Sequence, residues 1–219
     1  MKGAALKYSW LTYRRDQLWF PLAFLALFIV ILLILRHPVP RYSISRAYLG
    51  FIVPLVGGIL AAYSVLDDPA LELRFSTPVR AEQTLLARLG LILAVQAVCA
   101  LVFQLIAGAL GIDLSPLGGL FRVQLVWFLP TLALASLGTA GALAGAQTAI
   151  GAFLAGAAWL IHLLMNSWLR LNARPVFLFL GVIVPGDPQL TLNQSVLFSG
   201  SILLLLIAWA LLRRQERYL

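Results

Sequence analysis

The sequence predicts an all-α integral membrane protein with six transmembrane helices, and three observations predict it. Of the 219 residues, 62% are hydrophobic and only 11% are charged, a balance that exceeds what a soluble core needs. The apolar residues come in runs long enough to cross about 30 Å of hydrocarbon as helices. Lys2, Lys7, Arg14, Arg15, Arg74, Arg80, Arg88, Arg213, Arg214 and Arg217, ten of the sixteen basic residues, fall in the two tails and in one charged interruption at 67–88. That bias places both termini on the cytoplasmic side of the cell inner (plasma) membrane, which requires an even number of crossings. The net charge of +8 would suggest nucleic acid in a soluble chain. Here anionic lipid headgroups are the simpler partner, and no nucleic-acid partner is expected.

Residues 1–17 carry Leu6, Trp10 and Tyr13 on one helical face and Lys7 and Arg14 on another. They read either as a helix lying in the headgroup layer or as a basic tail outside it. The apolar run that follows is too long for a cleaved signal and lacks a small-residue cleavage site. The first span is 18–35, closed by Arg36-His37-Pro38-Val39-Pro40, a turn that no helix crosses intact. His37 there reads as solvated. The second span, 47–66, contains Pro54 and Gly57-Gly58, which permit a kink and a close helix approach. A moving part and a static packing feature are both open readings.

At 67–88 the chain becomes polar. Asp68 suits a helix N-cap and Pro69 the first helical position. Pro78 then disfavours helix at Thr77, so a helix at 68–77 makes about two turns. Leu71 and Phe75 stand at i, i+4 beside Glu72 and Arg74, a knob half apolar and half charged. The segment is either a solvated loop or a docking knob. A second helix starts at Pro78 and runs unbroken to Gly108–Gly111, about 45–50 Å. Its first turns, with Arg80, Glu82 and Arg88, are expected to protrude from the lipid.

The third span, 84–111, carries Gln96 and Gln104 on nearly one face, where amides in lipid usually meet other helices. Pro116 and two glycines make an outer turn at 113–119. The fourth and fifth spans, 123–144 and 150–168, are joined by an uncharged inner hairpin. Gly138, Gly141, Gly145, Gly151 and Gly156 read as a surface for close helix packing. His162 and Asn166 share a face near the outer end of the fifth span. A metal or catalytic reading needs further ligands or a nucleophile, and a satisfied polar pair is the plainer alternative. After Arg170, Asn172 and Arg174 comes 175–188, an apolar run of nine residues, Val176 to Val184, ending in Pro185-Gly186-Asp187-Pro188. Nine residues cannot cross a bilayer as a helix, so the segment reads as re-entrant or interfacial, with a surface-bound loop as the alternative. The sixth span is 196–212, stopped by Arg213-Arg214-Gln215-Glu216-Arg217. Cys99, the only cysteine, reads as a small buried hydrophobe.

No Gly-x-x-x-x-Gly-Lys-[Ser/Thr] loop is present, and the only lysines are Lys2 and Lys7. The chain is therefore not expected to be an enzyme by itself. Gly-x-Ser-x-Gly, His-Glu-x-x-His and paired-cysteine motifs are also missing, so no catalytic, metal or cofactor residue is assigned.

One stretch resembles a known family. An acidic pair, Asp67-Asp68, precedes the short Leu71-Glu72-Leu73-Arg74-Phe75 helix. Ser76-Thr77-Pro78-Val79-Arg80 then leads into a Leu-rich helix. This is similar to the segment between spans two and three of ABC transporter type-2 permeases. The resemblance implies that 68–77 is a coupling helix and that Leu71, Glu72, Arg74 and Phe75 contact a cytoplasmic ABC ATPase subunit, which holds the ATP and Mg. It implies that 1–17 is an elbow helix, and that 175–188 is a re-entrant outer element in which Phe177 and Phe179 form an outer gate. It also implies that 1–219 is one permease domain, paired with a second copy or a sister permease to form the path of an exporter. Two alternatives stand beside it: a haem-exporter-type permease subunit for cytochrome c assembly, and a non-transporting membrane scaffold or immunity protein.

Overall fold

Backbone N–H and C=O groups have no water to bond with in hydrocarbon, so long apolar runs close their hydrogen bonds internally as helices. A computed structural model describes residues 15–66 and 81–213, and among them every regular element is helical. Most of the expected elbow segment and all of 68–77, with Leu71, Glu72, Arg74 and Phe75, lie outside the described residues.

Helix α1 spans Arg15–Ile34. Helix α2 begins at Pro38–Ala47, passes through a π-helical turn at Tyr48–Ile52 and continues as Val53–Leu66; α3 is Ala81–Ala109, α4 Leu120–Gly145 and α5 Thr148–Leu164. Three short pieces follow: α6 at Asn166–Asn172, a 3-10 turn at Arg174–Val176, and α7 at Leu180–Ile183. Helix α8 closes the described chain at Leu190–Leu212. Four helices, Pro38–Ser64, Leu85–Ala109, Leu120–Gly145 and Leu190–Leu212, are long and apolar enough to cross a membrane. A fifth crossing results if α5 and α6, bent by 80° at their junction, count as one broken span. The apolar part of α1, Leu18–Ile34, is shorter.

Helix α2 starts nine residues before the expected span. The turn expected at 36–40 does separate α1 from α2, but Pro38 and Pro40 themselves belong to the second helix. In the fold they occupy the first turn, where a missing N–H breaks no intrahelical bond. Farther along, Pro54 has no N–H to give to the carbonyl of Gly50. The ladder accommodates it by widening into the π turn at Tyr48–Ile52, so the helix continues without a break.

Helix α4 is buried over most of its length and packs against α2, α5 and α8. Its contacts with α2 depend on glycine. A Cβ on Gly138 would stand 2.5 Å from the Gly58 carbonyl oxygen, and one on Gly151 of α5 would strike the Gly138 carbonyl. The bond from the Thr139 hydroxyl to the Ala61 carbonyl, 3.3 Å, ties the same crossing. The α4–α5 link is two residues long, with Ala146 in the left-handed region at φ 51° and Gln147 N–H returning to the Ala142 carbonyl at 3.1 Å.

The core stacks in layers along the bundle. Near the end carrying Leu66 and Ala81, Leu60, Leu85, Leu89, Leu143, Ala208 and Leu212 pack together. Toward the far end Tyr48, Phe103 and Trp127 form a second cluster. Phe177 to Leu180 form a third with Leu134 and Leu197.

Candidate functional site

Two places in the bundle concentrate buried polar groups. The first lies at the near end, where α2 and α3 flank the 67–80 segment. Carbonyls in the last turn of a helix run out of intrahelical donors and attract cations. Ser64 is in that turn of α2, and its carbonyl accepts a hydrogen bond from Nη1 of Arg88 on α3. Arg88 is only 7% exposed. The sequence expectation set Arg88 in a protruding, solvated turn; in the fold it is buried as the clasp between two helix bases.

The second place is at the far end, around 174–187. Helix α5 stops at Met165, where the chain turns sharply into α6. The backbone from Arg174 to Phe179 is largely irregular and needs donors from elsewhere. Asn193 of α8, 2% exposed, supplies them: its Nδ2 donates to the carbonyls of Arg174 at 2.9 Å, Pro175 at 3.0 Å and Phe177 at 2.9 Å. His162 Nδ1 accepts the Leu178 N–H at 3.2 Å, which assigns the ring proton to Nε2 when the imidazole is neutral. Its ring stacks on Phe177 at 5.9 Å and meets Phe179 edge-on at 6.4 Å. Phe179 in turn packs against Phe51 of α2 at 4.8 Å. Both Phe177 and Phe179 are fully buried, so the 174–187 segment, here termed the plug, is packed into the bundle. Arg174 pairs with Asp187 at 3.4 Å, pinning the two ends of the plug together.

The plug is seated against the π turn of α2. A Cβ on Gly50 would collide with Val182, and the Phe51 carbonyl accepts the Trp159 indole N–H at 2.9 Å.

Of the remaining predicted polar residues, Gln104 bonds across a helix interface as expected of an amide in an apolar span, whereas Asn166 and Gln96 are placed differently. Asn166 donates to the Leu163 carbonyl at 2.9 Å, within the α5–α6 bend, and not to His162. Gln104 exchanges bonds with Gln124 of α4, at 3.3 and 2.8 Å, and the Trp127 indole adds a third at 2.9 Å. Gln96 is 1% exposed beside Gly57 and Thr131, and its Nε2 has no hydrogen-bond partner among the described residues. Among the described residues no three His, Cys, Asp or Glu side chains gather as a metal site.

Sequence reasoning missed Asn193, because it placed that residue in a loop before the sixth span. It missed Gln124 and Trp159 for lack of any local pattern. A polar residue within the first turn of an apolar helix was the signal available for Asn193. Comparison with protein-family models, curated proteins and solved structures finds no match, so the functional reading rests on the chain's own residues.

Proposed function

We propose that this chain is the transmembrane permease subunit of an ATP-driven exporter of the ABC type-2 kind. It crosses the cell membrane six times, with α1 and the broken α5–α6 pair each counting as a crossing. Both termini and 67–80 face the cytoplasm. The path forms with a second copy or a sister permease, and separate ABC ATPase subunits bind ATP and Mg.

The observation that carries the reading is the clasp of Arg88 on the Ser64 carbonyl. It joins the bases of the two helices that the 67–80 segment connects in sequence, so a push received by that segment would be delivered to α2 and α3 together. Helix α2 then runs the length of the bundle to the π turn on which the plug rests. In this reading Phe177 and Phe179 are the closed outer gate, and Gln96, Gln104, His162 and Asn166 are intramembrane polar contacts.

The test is the double substitution Leu71→Asp, Phe75→Asp in the full chain, co-expressed with its ABC ATPase. The variant is expected to insert normally, to lose the ATPase on purification and to lose transport-coupled ATP hydrolysis. A variant that retains the ATPase and hydrolyses ATP at the parental rate would overturn the proposal.

A further inference from the structure

At the far end, away from the plug, the α1–α2 connection and the turn after α3 enclose a cavity of about 360 Å³, within the usual range of small-ligand pockets. Arg36, Arg41, Tyr42, Val39, Ile112 and Asp113 are among its lining residues. Arg36 is exposed and has no hydrogen bond or ion pair among the described residues. Arg41 is half-buried, and its Nε donates to the Leu35 carbonyl at 2.6 Å. That bond anchors the guanidinium while its Nη groups keep their donors for another acceptor.

Asp113 contributes the opposite charge. Its two carboxylate oxygens accept the Ser115 backbone N–H and the Ser115 hydroxyl, each at 2.8 Å. The backbone bond first, and the hydroxyl second, hold its carboxyl below the usual carboxylate range, so it is an anion at neutral pH. No ion pair joins Asp113 to Arg36 or Arg41. Two cations and one anion thus line one cavity without closing on each other, an arrangement complementary to a ligand that carries both signs.

The surroundings indicate where such a ligand comes from. Val39, in the cavity wall, is 74% exposed. Leu27, Val30 and Ile34 lie at i, i+3 and i+7 on α1 and are exposed, so an aliphatic strip leads along the helix to the α1–α2 connection. A soluble ion has no use for that strip; acyl chains do.

We infer that the cavity holds the headgroup of a phosphoethanolamine-type phospholipid, with its phosphate on Arg36 and Arg41, its ammonium at Asp113 and its acyl chains along α1. Guanidinium groups match phosphate oxygens. A primary ammonium donates hydrogen bonds to a carboxylate, which a trimethylammonium cannot do. A phosphoglycerol headgroup offers Asp113 no cation at all.

The site lies at the opposite end of α2 from Leu66, so its test is independent of the permease reading. The full chain in detergent is offered dioleoyl phosphatidylethanolamine, phosphatidylcholine and phosphatidylglycerol, and bound lipid is counted by native mass spectrometry. Phosphatidylethanolamine is expected to be retained about tenfold over phosphatidylglycerol, a difference of about 1.4 kcal/mol. Asp113→Asn should abolish that preference, while Ser115→Ala, which removes one turn bond and no charge, keeps it. Arg36→Gln, at a residue with no hydrogen bond or ion pair among the described residues, should weaken retention of both lipids. Equal retention of the three lipids, or a preference that survives Asp113→Asn, overturns the inference. So does displacement of the lipid by free O-phosphoethanolamine, which would assign the cavity to a soluble ligand.

Discussion

Asn193 shows how much one side chain can carry in an apolar bundle. Its amide has two protons and serves three carbonyls, of which those of Arg174 and Phe177 also accept longer backbone bonds, from the Phe177 N–H at 3.2 Å and the Leu180 N–H at 3.4 Å. Leaving buried carbonyls unpaired costs roughly 1–3 kcal/mol each, with partial relief as the backbone relaxes. Asn193→Leu is therefore expected to lower stability by about 2–4 kcal/mol, read as a fall in the detergent unfolding midpoint. Asn193→Asp should be worse, because a carboxylate cannot donate and would face three carbonyl oxygens. An aspartate variant as stable as the parent would rule out this role. Phe177, Phe179 and His162 were all legible as candidates from their setting, Phe177 and Phe179 in a run too short to cross and His162 near a span end. Their convergence was not legible, because the α5–α6 bend, α6 and a 3-10 turn lie between the histidine and the two rings, and no single periodicity applies across them.

Helices α2, α4 and α5 are matched to one another by the absence of side-chain bulk. At Gly138 a methyl group would press on the Gly58 carbonyl, whereas Gly156 has nothing within 4 Å of its Cβ position. Gly138→Ala is expected to destabilise the bundle by about 1–3 kcal/mol. Gly156→Ala, on an open helical face, should be neutral or stabilise by up to about 1 kcal/mol, since alanine is the better helix former. Equal effects at the two positions in thermal unfolding would show that the crossing is looser than described. The sequence marked both glycines alike as one small-residue surface. Only the rotation of α4 and α5 about their axes distinguishes them. The same holds for Pro54: a proline within an apolar run announces a distortion, but whether it becomes a kink or a π turn depends on what packs against it. Here Val182 seats on Gly50, and Trp159 bonds to the Phe51 carbonyl.

For the molecule as a whole, the order of helices makes a topological prediction. If α1, α2, α3, α4, α5–α6 and α8 each cross once, the 110–119 turn and the plug face one side and the α4–α5 link faces the other. Single cysteines at Ser115, Gly186 and Gln147, each exposed, report this with a membrane-impermeant thiol reagent in sealed vesicles. Cys99 is buried and supplies little background. Ser115→Cys and Gly186→Cys are expected to label from the same face and Gln147→Cys from the opposite one; labelling of all three from one face would refute the six-crossing arrangement. The sequence by itself determined the class of the protein and the rough place of its helices, because a backbone in hydrocarbon must satisfy its own hydrogen bonds and long apolar runs leave it no other way. It also set the charged interruption at 67–88, since so many ionised groups cannot be buried together at low cost. Only the tertiary structure decided the partners of the polar residues within the bundle: Gln104 with Gln124, Arg88 with the Ser64 carbonyl, Asn193 with the plug. Each choice depends on the relative height and rotation of helices distant in the chain. Many weak packing contacts fix those two quantities jointly, and no local pattern of residues encodes either one.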